Sequence, residues 1–192
     1  MPFTLVTDAM VGFNPDEEYV HVSVGNETWV VGKIRLEEFM KEAKVEDYKI
    51  LKTVNGSEFE GKKYTHPLLS NISKLEQMAK MENYHIAVAE KFVDVNAGTG
   101  IVHLSPANGE DDYNIAMKRK VEIFSPIDDA VKFTEDAGKY AGMFVRDADE
   151  EIVRDVKEKK ALVKIGKIKH KYPLCWRSKH KLVWLARREY FY

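Results

Sequence analysis

Residues 98–113 read Gly98-Thr99-Gly100-Ile101-Val102-His103-Leu104-Ser105-Pro106-Ala107-Asn108-Gly109-Glu110-Asp111-Asp112-Tyr113. This pattern predicts a tight glycine turn, a short buried strand, a second turn and then a helix whose first turn is acidic. Glycines allow a ligand to approach the backbone closely, and the start of a helix presents unbonded N–H groups. The carboxylates beside them suit a polar ligand that bears an ammonium group.

The same residues also have a structural interpretation. A single histidine such as His103 is more often a satisfied strand residue than a ligand-binding group. Asp111 and Asp112 suit the positive end of a helix dipole, and neighbouring helical residues face different directions, so they do not both serve one pocket. A phosphate loop is excluded, because the Lys-Ser/Thr ending is missing and the acids would repel phosphate. On the residues alone, the structural interpretation is narrowly favoured.

Upstream of this stretch, the sequence predicts more strands than helices. A hairpin is expected around Gly25-Asn26-Glu27, because apolar and aromatic residues dominate on both sides of it. The other predicted upstream elements are a helix over 35–44, strands over 48–54, 85–90 and 92–95, and a loop over 55–70.

Downstream, residues 110–121 are predicted to be helical. Asp147 and Glu150 have the spacing of a capping box ahead of a helix that runs to about residue 160. Final strands are predicted around 162–170 and 182–192. Strands that do not alternate regularly with helices predict an α+β fold, a mixed sheet or barrel with helices added.

The composition is that of a globular protein. The chain has 192 residues, of which 44 % are hydrophobic and 32 % charged, which excludes disordered, collagen-like and coiled-coil classes. A single cysteine, Cys175, forms no internal disulfide and indicates a reducing compartment, so we expect a cytoplasmic protein. Neither a membrane span nor a secretion signal is expected, because the sequence contains no long apolar run.

The net charge of −1 conceals two opposed segments. Residues 154–188 hold 13 Lys or Arg and 2 acids, whereas residues 1–153 hold 17 Lys or Arg and 28 acids. A basic segment of this kind suits RNA, although a solvated surface is the simpler interpretation. A net charge close to zero therefore excludes only a protein whose charge is basic along the whole chain.

The stretch 98–113 closely resembles the glycine-rich loop and Gly-Glu-Asp-Asp-Tyr signature of the editing domain inserted into isoleucyl-tRNA synthetases. Residues 2–6 resemble the end of that domain's threonine-rich segment, which in the family reads Trp-Thr-Thr-Thr-Pro-aromatic-Thr-Leu. Residues 170–177 and 190–192 resemble the strands that return to the synthetase core. The residue at His103 and the absence of a His-Asp pair at 108–109 favour the isoleucine branch over the valyl or leucyl branch, and the variation at 104–108 is archaeal or eukaryotic in style.

The resemblance implies a barrel-like editing domain with peripheral helices that spans 1–192, excised from a longer synthetase, with return strands at 165–192. It implies hydrolysis of mischarged valyl-tRNA(Ile), with editing of valyl-adenylate left open. One methylene is worth only about 1–3 kcal/mol in a hydrophobic pocket, a limit for which this synthetase is itself the standard illustration, so a second, hydrolytic site is needed. No ligase activity is expected of this chain alone.

Site roles carry over position by position. Asp112 would hold the α-ammonium of the substrate, His103 would line the side-chain pocket, and Thr4 would position water or the terminal ribose. Phe3 is assigned to substrate binding beside Thr4. The pocket wall would comprise Gly98, Thr99 and Gly100. Because no Ser or Cys nucleophile is paired with a base, direct attack by water is expected.

The expected partners are the acceptor end of tRNA(Ile), valine as the noncognate aminoacyl group, and the rest of the parent synthetase. No cofactor is expected here, whereas the parent enzyme would use ATP and Mg²⁺. No metal is expected either, because Ser178 replaces the second thiol of a Cys-x-x-Cys pair. Met1 stands where the family has a threonine, so weak hydrolysis is expected. The alternatives are a non-catalytic RNA-binding or interaction module, an editing domain of the valyl or leucyl branch, and an unrelated esterase.

Overall fold

The computed structural model describes residues 1–166 and 173–187. These residues form helices and small sheets, which confirms the predicted α+β class. The chain divides into two compact units. We call Ala9–Thr65 with Asn83–Leu104 the sheet unit, and Met1–Asp8 with His66–Glu82 and Ser105–Tyr192 the helical unit.

The sheet unit contains two three-stranded sheets. One sheet has the order β5-β1-β6, with β1 parallel to β5 and antiparallel to β6. The other has the order β3-β2-β4 and is antiparallel throughout. The strands are β1 Met10–Phe13, β2 Glu18–Val24, β3 Glu27–Gly32, β4 Lys49–Asn55, β5 Ile86–Ala89 and β6 Val102–Leu104.

The expectation of a barrel-like sheet is corrected by this topology. A barrel closes only when every strand is paired on both sides. In the described part of the chain, each three-stranded sheet instead ends in two edge strands, so no closed barrel forms. β4 is such an edge, and nearly all of its side chains are exposed.

The predicted hairpin at residues 25–27 is confirmed. Val24 pairs with Glu27 across the turn, and Gly25 adopts a left-handed φ of +57° that favours glycine. The predicted helix over 35–44 is confirmed as α1, Leu36–Ala43. Its buried side chains pack on the hairpin in a cluster of Val20, Val22, Val31, Leu36, Phe39 and Met40.

A second cluster joins the two sheets. It consists of Phe13 from β1, Tyr19 from β2, Ala87 from β5, and the loop residues Phe59 and Val95. The rings of Phe13 and Phe59 stack with centroids 4.1 Å apart, while Tyr19 meets Phe13 edge-on at 5.0 Å. Offset and edge-on aromatic pairs of this kind stabilise a core beyond the area that they bury.

The helical unit begins with a 3-10 helix, Pro2–Thr7, and contains α2 Ser73–Met78, α3 Glu110–Arg119 and α4 Ala148–Glu158. α3 confirms the predicted helix over 110–121. A buried carboxylate, Asp155, ties α4 to its surroundings: it accepts hydrogen bonds from Tyr140 Oη at 2.7 Å, Asn71 Nδ2 at 2.8 Å and Lys139 Nζ at 2.6 Å.

Three predictions of local structure were wrong. Residues 92–95 form a turn and an irregular segment rather than a strand. Asp147 precedes α4 but makes no side-chain capping bond, so the predicted capping box is absent. Residues 162–166 and 182–187 form no strand, while 167–170 and 188–192 lie outside the described residues.

No helix in the described ranges is long and apolar enough to cross a membrane.

Candidate functional site

Residues 98–100 form the glycine loop of the sheet unit, and each of their three backbone carbonyls accepts a hydrogen bond. A different element supplies the donor in each case. Gly98 O accepts a hydrogen bond from Arg35 Nε at 3.2 Å, and Thr99 O accepts one from the Gly32 N–H at 2.7 Å. Gly100 O accepts one from the buried Tyr19 hydroxyl at 2.9 Å. These bonds tie the loop to β2, to the end of β3 and to the residue before α1, and they satisfy all three of its carbonyls.

Two positions of this loop require glycine for different reasons. Gly98 and Gly100 both have left-handed φ angles, of +57° and +75°. A Cβ on Gly98 would meet nothing within 4 Å, whereas one on Gly100 would lie 3.2 Å from Gly32 Cα and 3.3 Å from Val95 O. Only Gly100 is therefore also constrained by the close approach of another backbone segment.

Arg35 brings a buried charge to the loop. Its guanidinium forms ion pairs with Glu38 and, at 3.1 Å, with Glu42, both on α1. Only 10 % of the Arg35 side chain is exposed, so these carboxylates compensate a charge that would otherwise be unfavourable to bury. α1 therefore serves as the support of the glycine loop.

His103 lies on β6, where it pairs with Val11 of β1 and is half-buried. The Thr99 side chain contacts the backbone of the same loop, since its Oγ1 lies 3.4 Å from both the nitrogen and the carbonyl oxygen of Ile101. The sheet unit thus contains four predicted pocket residues, Gly98, Thr99, Gly100 and His103.

Asp112 occupies the first turn of α3 in the helical unit. The Ser105 N–H donates a 2.8 Å hydrogen bond to its Oδ2. A carboxylate at a helix N-terminus is favoured by the helix dipole, and a backbone donor fixes its orientation. Gly109, directly before α3, lies against this side chain: a Cβ there would be 2.9 Å from Asp112 Oδ2.

Thr4 and Phe3 lie on the N-terminal 3-10 helix of the same unit. The Thr4 hydroxyl donates to Met1 O at 2.8 Å, and the residue is buried. Phe3 is completely buried, and its N–H donates to Asp149 Oδ1 at 2.7 Å. Burial raises the pKa of Asp149, against the lowering effect of the Phe3 N–H. Phe3 is thus part of the core of the helical unit.

Three polar residues near Asp112 were missing from the predicted site: Thr7, Ser105 and Asn108. Thr7 Oγ1 lies 2.6 Å from Ser105 Oγ and 2.6 Å from Asn108 Oδ1, and it contacts Thr4 O at 3.0 Å. A 3-10 helix has three residues per turn, so Thr4 and Thr7 share one face of it. That spacing was the available signal for Thr7.

A groove of about 1060 Å³ runs along α3 in the helical unit. Tyr113, Met117, Phe124 and Arg187 contribute to its lining, whereas none of the predicted site residues does. The groove is therefore separate from the chemistry predicted for Asp112. Across 1–166 and 173–187, no three His, Cys, Asp or Glu side chains cluster as metal ligands.

Comparison with known sequences identifies relatives along the whole chain. An isoleucine–tRNA ligase of Methanocaldococcus jannaschii is 41 % identical over 198 residues, which cover 99 % of this chain and 19 % of that enzyme. One of Sulfolobus acidocaldarius is 40 % identical over 191 residues, or 99 % of this chain and 18 % of the enzyme. The chain thus spans about a fifth of the length of these relatives. No family model matches the chain.

Comparison with solved structures identifies the fold. A crystal structure described as GlLeuRS-CP1 matches with a TM-score of 0.62 at 16 % identity, covering 88 % of this chain and 82 % of that one. The editing domain of the Plasmodium falciparum cytosolic leucyl-tRNA synthetase matches with a TM-score of 0.56 at 15 % identity, covering 82 % and 74 %. The chain therefore belongs to the isoleucine–tRNA ligase family, as the counterpart of one segment of those enzymes, and has the fold of synthetase editing domains.

Proposed function

We propose that this chain is an aminoacyl-tRNA deacylase that hydrolyses valyl-tRNA(Ile) and so proofreads isoleucine attachment. The observation that carries the proposal is the Asp112 carboxylate, oriented by the Ser105 N–H at 2.8 Å in the first turn of α3. Asp112 lies in a chain that has the fold of synthetase editing domains and that is 41 % identical, over 198 residues, to an isoleucine–tRNA ligase.

Asp112 is proposed to bind the α-ammonium group of the aminoacyl ester. A carboxylate accepts hydrogen bonds on two oxygens, which is the chemistry that an ammonium donor requires, and the Ser105 N–H fixes its orientation. Hydrogen bonds between charged groups are about twice as strong as neutral ones. This contact would select an aminoacyl ester over an ester without the amine.

Water is proposed to attack the ester directly. The Ser105 hydroxyl is buried, and its hydrogen-bond partners are Thr7 and Asn108, neither of which is a base. An acyl-enzyme would need an accessible nucleophile that is paired with a base. Thr4 is proposed to position the attacking water or the terminal ribose.

Side-chain selection is assigned to His103 and the glycine loop, which are proposed to admit valine and to exclude the longer isoleucine. The three hydrogen bonds that the carbonyls of residues 98–100 accept support this role, because a rigid wall is needed to discriminate one methylene by steric exclusion. Exclusion by a rigid wall can exceed the about 1–3 kcal/mol that attraction to one methylene supplies.

The acceptor end of tRNA(Ile) is the proposed macromolecular partner, and the basic segment 154–188 is its proposed contact. Within this segment Trp176 is 77 % exposed, and the Arg177 guanidinium lies 4.9 Å from its ring centroid. Exposed aromatic rings among cations bind unpaired nucleotides by stacking and charge. Binding is therefore expected to weaken as the salt concentration rises.

The test compares hydrolysis of valyl-tRNA(Ile) and isoleucyl-tRNA(Ile) by the wild-type chain, Asp112→Ala, and a version extended at its N-terminus with the family's Trp-Thr-Thr-Thr. Loss of the valyl ester alone, abolished by Asp112→Ala in a folded protein, is the expected result. Binding of both tRNAs without hydrolysis by any version would refute the deacylase and favour the RNA-binding module.

A further inference from the structure

Thr7 lies one turn beyond Thr4 on the N-terminal 3-10 helix, and only 1 % of it is exposed. Nothing in the proposed chemistry uses it. Its hydroxyl nevertheless contacts three oxygen atoms from two separate parts of the helical unit: Thr4 O, Ser105 Oγ and Asn108 Oδ1. A buried hydroxyl with this many partners holds segments of the chain in a defined arrangement.

The orientation of Asn108 defines the direction of these bonds. Its Nδ2 donates to Trp184 O at 3.0 Å, which places its acceptor, Oδ1, toward Thr7 and Ser105. Thr7 and Ser105 each carry one hydroxyl proton. Two hydroxyl oxygens 2.6 Å apart are joined by a hydrogen bond, so one of these two hydroxyls donates to the other. The hydroxyl that accepts this bond donates its own proton to Asn108 Oδ1 or, in the case of Thr7, to the Thr4 carbonyl.

Ser105 connects this cluster to the carboxylate. Its hydroxyl contacts Thr7, and its own N–H donates to Asp112 Oδ2 at 2.8 Å. A chain of contacts thus runs from the Thr4 carbonyl through the Thr7 hydroxyl to the Ser105 hydroxyl, and the backbone N–H of Ser105 continues it to Asp112. Every contact on this path lies within the helical unit.

We propose that Thr7 is a positioning residue for editing: its hydroxyl sets the place of Thr4 relative to the Asp112 carboxylate. The proposal rests on the proposed function. Thr4 would position water and Asp112 would bind the ammonium, so a shift between them impairs the chemical step more than binding. A misplacement of about 1 Å is enough to reduce a rate by about 100-fold.

Three variants test this role. Thr7→Val keeps the volume and removes the hydroxyl, whereas Thr7→Ser keeps the hydroxyl. Tyr140→Phe is the matched control, because it removes a buried hydroxyl from the Asp155 cluster of the same unit, which shares no residue with the Thr7 cluster. The readouts are kcat and KM for valyl-tRNA(Ile), and the affinity for a non-hydrolysable valyl-amide of adenosine.

For Thr7→Val we expect kcat to fall by about 10- to 100-fold, with the analogue affinity changed by less than about 3-fold. Thr7→Ser should recover most of kcat, and Tyr140→Phe should retain it. Equal losses of kcat in Thr7→Val and Tyr140→Phe, or an unchanged kcat in Thr7→Val, would overturn the positioning role.

A measurement without substrate separates this inference from the proposed function. Hydrogen exchange of the Ser105 amide should be faster in Thr7→Val than in the wild type and unchanged in Tyr140→Phe, since that amide donates to Asp112. If the wild type hydrolyses no ester, the proposed function fails. Unchanged Ser105 exchange in Thr7→Val refutes the positioning role in either case.

Discussion

Ser105 donates its backbone N–H to Oδ2 of Asp112 across 2.8 Å, although seven positions separate the two residues. The bond joins the residue before the Pro106–Gly109 segment to a side chain in the first turn of α3. The orientation of the carboxylate is therefore established by the backbone of Ser105, whose side-chain hydroxyl also contacts Thr7. Changes that displace this side chain without unfolding the helix provide the most direct tests of the site.

Gly109→Ala is expected to displace the Asp112 carboxylate. The φ of −146° at Gly109 suits any residue, but a Cβ there would lie 2.9 Å from Asp112 Oδ2. The end of a flexible side chain moves more easily than backbone, so the free energy of unfolding should change by about 1 kcal/mol or less.

Deacylation of valyl-tRNA(Ile) by Gly109→Ala should fall by about 10- to 100-fold in kcat/KM, since the carboxylate is misplaced. Gly166→Ala is the control, because a Cβ there meets nothing within 4 Å. Full activity in Gly109→Ala would mean that the carboxylate orientation is unimportant.

The two glycines of the glycine loop should respond differently to alanine. Gly98→Ala suffers only from its left-handed φ of +57°, which destabilises by about 1–2 kcal/mol. Gly100→Ala has the same disadvantage and also forces apart the Gly32 and Val95 backbones, so its loss should be larger. Urea denaturation measures both. Equal losses would show that the close backbone approach is relieved without strain.

Arg35→Met should loosen the glycine loop, since it removes the donor to Gly98 O and leaves Glu38 and Glu42 without their cation. A hydrogen bond to a charged group contributes about 1.5–3 kcal/mol, and the free energy of unfolding should fall by that amount. Faster hydrogen exchange at residues 98–100 should accompany the loss.

The control for Arg35→Met is Lys33→Met. The Lys33–Glu18 ion pair is 54 % exposed on both sides, so its removal should change the free energy of unfolding by less than about 1 kcal/mol. A similar loss in the two variants would indicate that Arg35 acts only as a surface charge.

Asp155→Asn should destabilise the helical unit in a pH-dependent way. Burial disfavours the charge of Asp155, but hydrogen bonds from Lys139 and Tyr140 outweigh it and hold its pKa below the ordinary 3.8. A depressed pKa contributes stability above the unfolded value, and this stability is lost as the pH falls through the folded pKa.

The loss in Asp155→Asn should therefore be about 1.5–3 kcal/mol at neutral pH and should shrink below about pH 4. Thermal melts from pH 7 to pH 3 measure it, with the exposed acid of the same helix, Glu150→Gln, as the control. A loss of constant size down to pH 3 would show that the charge of Asp155 contributes nothing.

Local patterns predicted many of the elements correctly. The hairpin at residues 25–27, α1 and α3 each have a clear period of apolar residues, so the neighbouring sequence alone specifies them. β1 was not predicted, because its four residues include Gly12 and show no alternation. Gly12 is suited to this strand because a Cβ there would lie 3.0 Å from Val93 and 3.1 Å from Val102.

The assignment of Thr4, Asp112, His103 and the glycine loop came from the resemblance to editing domains, and their individual roles stay predictions. The supports of these residues were not predictable from the motif. Arg35 reaches Gly98 from a helix 63 positions away, and Thr7 reaches Ser105 across 98 positions. Nothing in the local sequence distinguishes such an arginine from an ordinary surface residue, and the spacing of Thr7 from Thr4 does not identify Ser105 as its partner.

The sequence by itself therefore determined the hairpin at residues 25–27, α1 and α3, the editing motif and the two opposed charge segments, because periodicity, turn residues and charge are local properties. Only the tertiary structure decided that the strands form two open sheets, that α4 lacks a capping box, and that Thr7 and Asn108 contact Ser105, whose N–H orients Asp112. Strand order and buried hydroxyl partners depend on contacts between distant positions, and these exist only once the chain has folded.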